Sequence, residues 1–171
     1  CPTCRFPACL ADDVGNWDAA MTPTPLHLAV PPIAAAQGVD PQLVEAIALV
    51  ESGGRPDSLR FEHAFYDQYI KGKTTAASQF GPLAACSFGV MQILLETACE
   101  LGFRDEPWQL FYMPIGLSWG TKYLKSLLEW SDGQQDRAIL AYNSGPAHVE
   151  PSPPYADQPY LDRVNRALKG L

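Results

Sequence analysis

A chain of 171 residues, 47% hydrophobic and 18% charged, is long enough to bury one core and too apolar to stay disordered, so a single folded domain is expected. Its net charge of -7, with 12 Lys and Arg against 19 Asp and Glu, argues against nucleic acid as a partner. That kind of binding rests on basic patches that displace counterions, and the chain has no Lys/Arg cluster. No run reaches the ~18 consecutive apolar residues of a membrane span, and the first residues lack the basic-then-apolar layout of a secretion signal.

Residues 1–32 carry six of the 16 prolines and little periodicity, and read as a Cys/Pro-rich arm ahead of a domain over 33–171. Cys1, Cys4 and Cys9 crowd this arm, while Cys86 and Cys99 lie mid-chain. Cys1-x-x-Cys4 is zinc-like in spacing, but no fourth ligand stands near it, so no metal site is assigned and disulfides or free thiols remain open. A lipid-modified Cys1 is a further reading of the same residue.

Asp40-Pro41 is a helix start, an N-cap acceptor followed by proline at the first helical position. Leu43, Val44, Ile47, Ala48 and Val50 then recur on one side, and Gly53-Gly54 supplies the stop. Leu59–Glu62 suits a short strand, His63–Ile70 a short aromatic helix, and residues 72–86 a loop. A second helix is expected over Leu94–Leu101, and a third from Pro114 to Trp130 with Trp119, Tyr123, Leu124, Leu127 and Leu128 as its stripe. The fourth, Gln134–Asn143, is short and mostly apolar and is therefore expected at the centre. Five prolines make 146–159 a surface loop, and a last helix from Pro159 offers Leu161, Val164 and Leu168 to the core.

Glu51 falls seven residues after Val44 and four after Ile47, so it continues the apolar stripe of its own helix and points inward. Burial and the negative end of the helix dipole both favour the neutral carboxylic acid. That is the state a general acid needs to protonate a glycosidic oxygen near neutral pH. An isolated glutamate before a Ser-Gly-Gly stop more often turns out to solvent, so the position gains weight only from its company.

That company is Glu51-Ser52-Gly53-Gly54, then Ser87-Phe88-Gly89-Val90-Met91-Gln92-Ile93, then Ala141-Tyr142-Asn143-Ser144-Gly145-Pro146. In that order the segments resemble the signature motifs of the soluble lytic transglycosylase family, lysozyme-like enzymes that cut bacterial peptidoglycan. A weaker fourth match lies at 114–124, and the likeness spans Pro32 to Leu171. It implies a mainly α, lysozyme-like α+β fold: short helices around a central apolar helix, with a small irregular or β insertion beside the cleft. It also implies Glu51 as catalytic acid and base, with Ser52, Gly89, Met91, Gln92, Tyr142 and Asn143 contacting substrate.

Each of the others has a physical role to offer. Gly89 permits close backbone approach to a sugar, Gln92 and Asn143 can bind an acetamido group, and Tyr142 offers a ring and a hydroxyl to substrate or to the carboxyl. Core packing is the bland alternative for Met91 and Tyr142. The chain departs from the family pattern where Leu94-Leu95-Glu96 replaces the usual Met-Pro, and where an insertion separates Glu51 from the glycine motif. Within it Leu59-Arg60-Phe61-Glu62 resembles a segment of phage-borne and goose-type-like cell-wall enzymes, and brings a second acid, Glu62.

By the resemblance the reaction is cleavage of the β-1,4 bond between N-acetylmuramic acid and N-acetylglucosamine with a 1,6-anhydro end, without cofactor or metal. A hydrolytic muramidase using Glu51 and Glu62 is the alternative, since glycosidases ordinarily work with two carboxylates. A catalytically idle wall-binding module is another. Glu62 is expected to hold substrate or the insertion itself, bonded to Arg60 or a turn; Asp57 and Asp67 are weaker candidates. His27, His63 and His148 have no nucleophile at triad spacing. The expected partner is the peptidoglycan glycan strand, and the setting is periplasmic, extracellular or virion-associated, within a larger envelope or virion assembly.

Overall fold

A computed structural model describes residues 24–171. Eight helices and three short strands run in the order α1 (Leu26–Gln37), α2 (Pro41–Ser52), β1 (Leu59–Phe61), α3 (His63–Phe65), α4 (Thr75–Phe80), β2 (Cys86–Phe88), β3 (Ile93–Leu94), α5 (Leu95–Glu100), α6 (Met113–Trp130), α7 (Gln135–Ser144) and α8 (Gln158–Gly170). A π-turn at Tyr66–Ile70 continues α3, and single 3-10 turns fill Gly81–Ala85, Pro107–Phe111 and Pro146–His148. None of the described helices is long and apolar enough to cross a membrane.

The main core is helical. Helices α1, α2, α6, α7 and α8 pack on one another, and α7 runs through the middle with Ala138 to Tyr142 buried in succession. A helix buried on all sides needs small or apolar residues throughout, which is why its composition places it at the centre. Helix α2 opens as expected, with the Asp40 carboxylate accepting from Gln42 N at 3.0 Å and Pro41 at N1. It ends on Gly53 at φ 68°, whose N–H closes onto the Ala48 and Leu49 carbonyls.

Two expectations are corrected here. Helix α1 begins at Leu26, inside the stretch read as arm, and Ala29 and Val30 belong to the main core. Pro31 and Pro32 lie within it, and both lack the N–H that would bond the carbonyls of His27 and Leu28. All four residues are exposed, so water can serve those carbonyls. Residues 75–85 are helical rather than loop, because Thr74 Oγ1 accepts from Ala77 N at 3.0 Å and caps α4, while Ala76, Ala84 and Ala85 bury against Ile70. Cys1, Cys4 and Cys9 lie outside the described residues.

The strands form one antiparallel sheet in the order β1-β2-β3, with Leu59 opposite Phe88, Phe61 opposite Cys86, and Ser87 opposite Leu94. Phe88, Ile93, Leu95 and Phe103 build a second core behind it. The β2–β3 turn drives Val90 and Met91 into the main core, which joins sheet to helices. Gly120 on α6 makes room for that turn, since a Cβ there would lie 2.5 Å from the Cβ of Met91.

Candidate active site

Glu51 stands in the last turn of α2, and the groove it faces has a volume of about 640 Å³. One wall is the insertion, through Arg60, Glu62 and Phe65; the floor is Gln92, Ile93 and Leu94; the far wall is the end of α7, from Tyr142 to Gly145. The Glu51 helix, the glycine motif and the Tyr142–Asn143 helix end are thus brought together around it. Thr97, Glu100 and Tyr123 extend it along α5 and α6.

Burial raises the pKa of the Glu51 carboxyl above its ordinary value. Three weaker effects oppose it: a hydrogen bond from Tyr160 and the charges of Arg60 and Arg163, while Glu62 adds a further upward push. The Tyr160 hydroxyl donates to Glu51 Oε1 at 2.5 Å. Tyr160 is buried on α8, and burial first, then the neighbouring Glu51, push its pKa up, so it stays a phenol and a donor. One carboxyl oxygen is thereby held, and the other is left to carry a proton.

The sequence profile of the transglycosylase SLT domain matches residues 32–156. The chain belongs to the transglycosylase SLT domain family. An inactive mutant of lytic transglycosylase Slt from Pseudomonas aeruginosa is similar in fold, with a TM-score of 0.55 over 83% of this chain at 17% identity. The match covers 21% of that longer protein. At this level of identity the likeness concerns the fold alone, and it agrees with the helical, lysozyme-like architecture with a small sheet.

Within this SLT domain the motif residues divide between groove and scaffold. Ser52 is buried, and its hydroxyl lies 2.7 Å from Val90 O and 3.1 Å from Ala48 O while accepting from Arg55 N at 3.0 Å. It ties the end of α2 to the β2–β3 turn and does not line the groove. Met91 is fully buried beside Gly120 and Thr121. Gly89 is needed at φ +72° because a Cβ there would fall 2.2 Å from the Leu110 carbonyl oxygen; its neighbour is backbone, not sugar. None of these three lines the groove, and each is engaged by packing or backbone contacts.

Gln92, Tyr142, Asn143 and Glu62 do line the groove. Gln92 sits at φ 47° and spends its amide nitrogen on the carbonyls of Ser58 (3.0 Å) and Gly89 (2.9 Å), which leaves its amide oxygen as the available acceptor. Tyr142 is 8% exposed and its hydroxyl donates to Met91 O at 2.9 Å, so it holds the β2–β3 turn instead of the Glu51 carboxyl. Tyr142→Phe should therefore cost about 1–3 kcal/mol of stability by leaving a buried carbonyl without its donor, a loss that denaturant unfolding would register. Glu62 is ion-paired with Arg60, as expected for a residue that organises the insertion.

Tyr160 is the partner of Glu51 that was not legible in the sequence. Its signal is faint: it lies four residues before Val164 on the inward face of α8, a spacing that reads as core packing.

Proposed function

We propose that this SLT domain is a lytic transglycosylase that cuts peptidoglycan glycan strands between N-acetylmuramic acid and N-acetylglucosamine and leaves 1,6-anhydro-muramic acid ends. The observation that carries this reading is one half-buried carboxyl facing the groove, its pKa raised by burial and a phenol fixed on one oxygen, while the second acid, Glu62, is ion-paired with Arg60.

The chemistry follows from that arrangement. Glu51 gives its proton to the glycosidic oxygen as the C1–O bond breaks, and the acetamido oxygen of the muramic residue closes on C1. The Glu51 carboxylate then takes the proton of the C6 hydroxyl, O6 displaces the acetamido oxygen from C1, and the 1,6-anhydro ring forms with no water consumed. Glu51 ends protonated, as it began. Between the two steps it is an anion, and the Tyr160 hydrogen bond strengthens when its acceptor becomes charged. Tyr160 therefore stabilises the state that burial opposes.

Tyr160→Phe is expected to lower kcat by about ten- to hundredfold, the scale of a hydrogen bond to a charged group. The same change removes an influence that holds the Glu51 pKa down. Glu51 acts first in its protonated form, so the alkaline limb of the kcat/KM profile should move to higher pH. A pH–rate series on the two proteins reads both effects; a limb that moves to lower pH would contradict the assignment.

Mass spectrometry of products from purified cell walls tests the reaction itself. Anhydro-muropeptides support the transglycosylase reading. Reducing-end products, one water heavier, would mean that Glu62 activates water and that the enzyme is a two-carboxylate muramidase. No released product at all would mark a wall-binding module. Such a substrate belongs to the bacterial envelope, so we place the domain's action in the periplasm, outside the cell or on a virion.

A further inference from the structure

Asp157 occupies the N-cap of α8, where an aspartate ordinarily turns its carboxylate onto the first free N–H groups of the helix. Here it makes no such cap. Its Oδ2 instead accepts from Asn143 Nδ2 at 2.6 Å, across 14 positions of chain. Asn143 lines the groove and Asp157 does not. A carboxylate only accepts, so the amide edge turned toward it must be the nitrogen, and the oxygen is fixed on the opposite side. Among the described residues nothing donates to Asn143 Oδ1.

We propose that Asp157 is a positioning residue of the glycan groove, which locks the Asn143 amide so that Oδ1 is offered to a donor on the substrate, an acetamido N–H or a sugar hydroxyl. Gln92 is held in the same sense, its nitrogen spent on two backbone carbonyls. The two amides of the groove are therefore both acceptors, and they select for donors on the substrate. Without the carboxylate, the Asn143 amide would be free to flip and to present nitrogen or oxygen indifferently. The backbone of Asp157 has a separate duty: its carbonyl accepts from Tyr160 N at 3.1 Å, at the root of the residue that holds Glu51.

This inference rests on the reading of the groove as a glycan site, and its test separates the two. Binding of a soluble peptidoglycan-derived glycan oligomer is measured by calorimetry in a Glu51→Gln background, so that nothing is cleaved. Adding Asp157→Ala should weaken binding about three- to tenfold, because the freed Asn143 side chain offers its oxygen to substrate in only a fraction of its rotamers, with the melting temperature nearly unchanged because no helix cap is lost. Asp157→Asn, which keeps an acceptor oxygen, should restore the affinity. Asn143→Ala should weaken binding by a similar factor, and Asp157→Ala added to it should cost nothing more, since one acts through the other. Unchanged affinity in Asp157→Ala overturns the proposal. So does a loss that adds in full to that of Asn143→Ala, or one that follows a fall in melting temperature. A parent protein that binds no oligomer, together with a wild type that releases no muropeptide, overturns the glycan reading and the inference with it.

Discussion

Glu51→Gln should fold as the parent does and lose turnover by about 10²–10⁴-fold, the range that a positioned general acid contributes. The amide keeps the shape of the side chain and can still accept from Tyr160, but it has no proton of suitable acidity to give. Turbidity clearing of purified cell walls measures the loss, and near wild-type turnover would remove Glu51 from the mechanism. The same variant carries a second, opposite effect. The Glu51 pKa in the folded protein is raised above its ordinary value of 4.5, so the unfolded chain ionises first as pH rises. The stability that the protonated acid contributes is fully present below pH 4.5 and is lost as pH climbs through the folded-state value. Glu51→Gln has no such titration. It should therefore be more stable than wild type at neutral pH, with the gap closing on acidification, an outcome that denaturant unfolding at several pH values would display. Loss of function with gain of stability at one position is what an active-site carboxyl held against its hydration should give.

Gly89→Ala is expected to be at least as damaging by a wholly different route. The backbone at φ +72° already disfavours any L side chain, and the added Cβ would sit 2.2 Å from the Leu110 carbonyl oxygen, which is backbone and cannot swing away. The Leu110 carbonyl also faces Gly116 on α6, where a Cβ would lie 2.6 Å from it, so retreat in that direction is closed as well. A cost above about 3 kcal/mol follows, large enough to leave little folded protein if the domain is as marginal as most. Thermal unfolding measures it. An Ala variant that melts with wild type and is merely inactive would show that Gly89 serves the sugar after all.

What could be read in advance was local. The start of α2, its apolar stripe, the Gly53 stop and the inward place of Glu51 are written within fourteen neighbouring positions, and they hold. The short strand at 59–61 and the helix after it were visible for the same reason. The pair Pro31-Pro32 was misread because a helix breaker by composition is tolerated where the orphaned carbonyls reach solvent, and exposure is a property of the fold. Among the motif residues, the period of a helix or turn tells inward from outward, but not core from groove. Ser52 and Met91 point inward to core, Gln92 and Asn143 to the groove, and nothing in their spacing separates the two cases. The Tyr160–Glu51 hydrogen bond spans 109 positions, beyond the reach of any local pattern.

That separation has a consequence for when the site is assembled. The carboxyl leaves the ribosome on α2, and the hydroxyl that holds it follows 109 positions later, on α8. Until α8 docks against α2, Glu51 lacks the Tyr160 hydrogen bond and part of the burial that raises its pKa. A chain cut ahead of Gln158 lacks that hydroxyl. A site whose carboxyl and phenol stand 109 positions apart is thus assembled only once α8 has docked on α2.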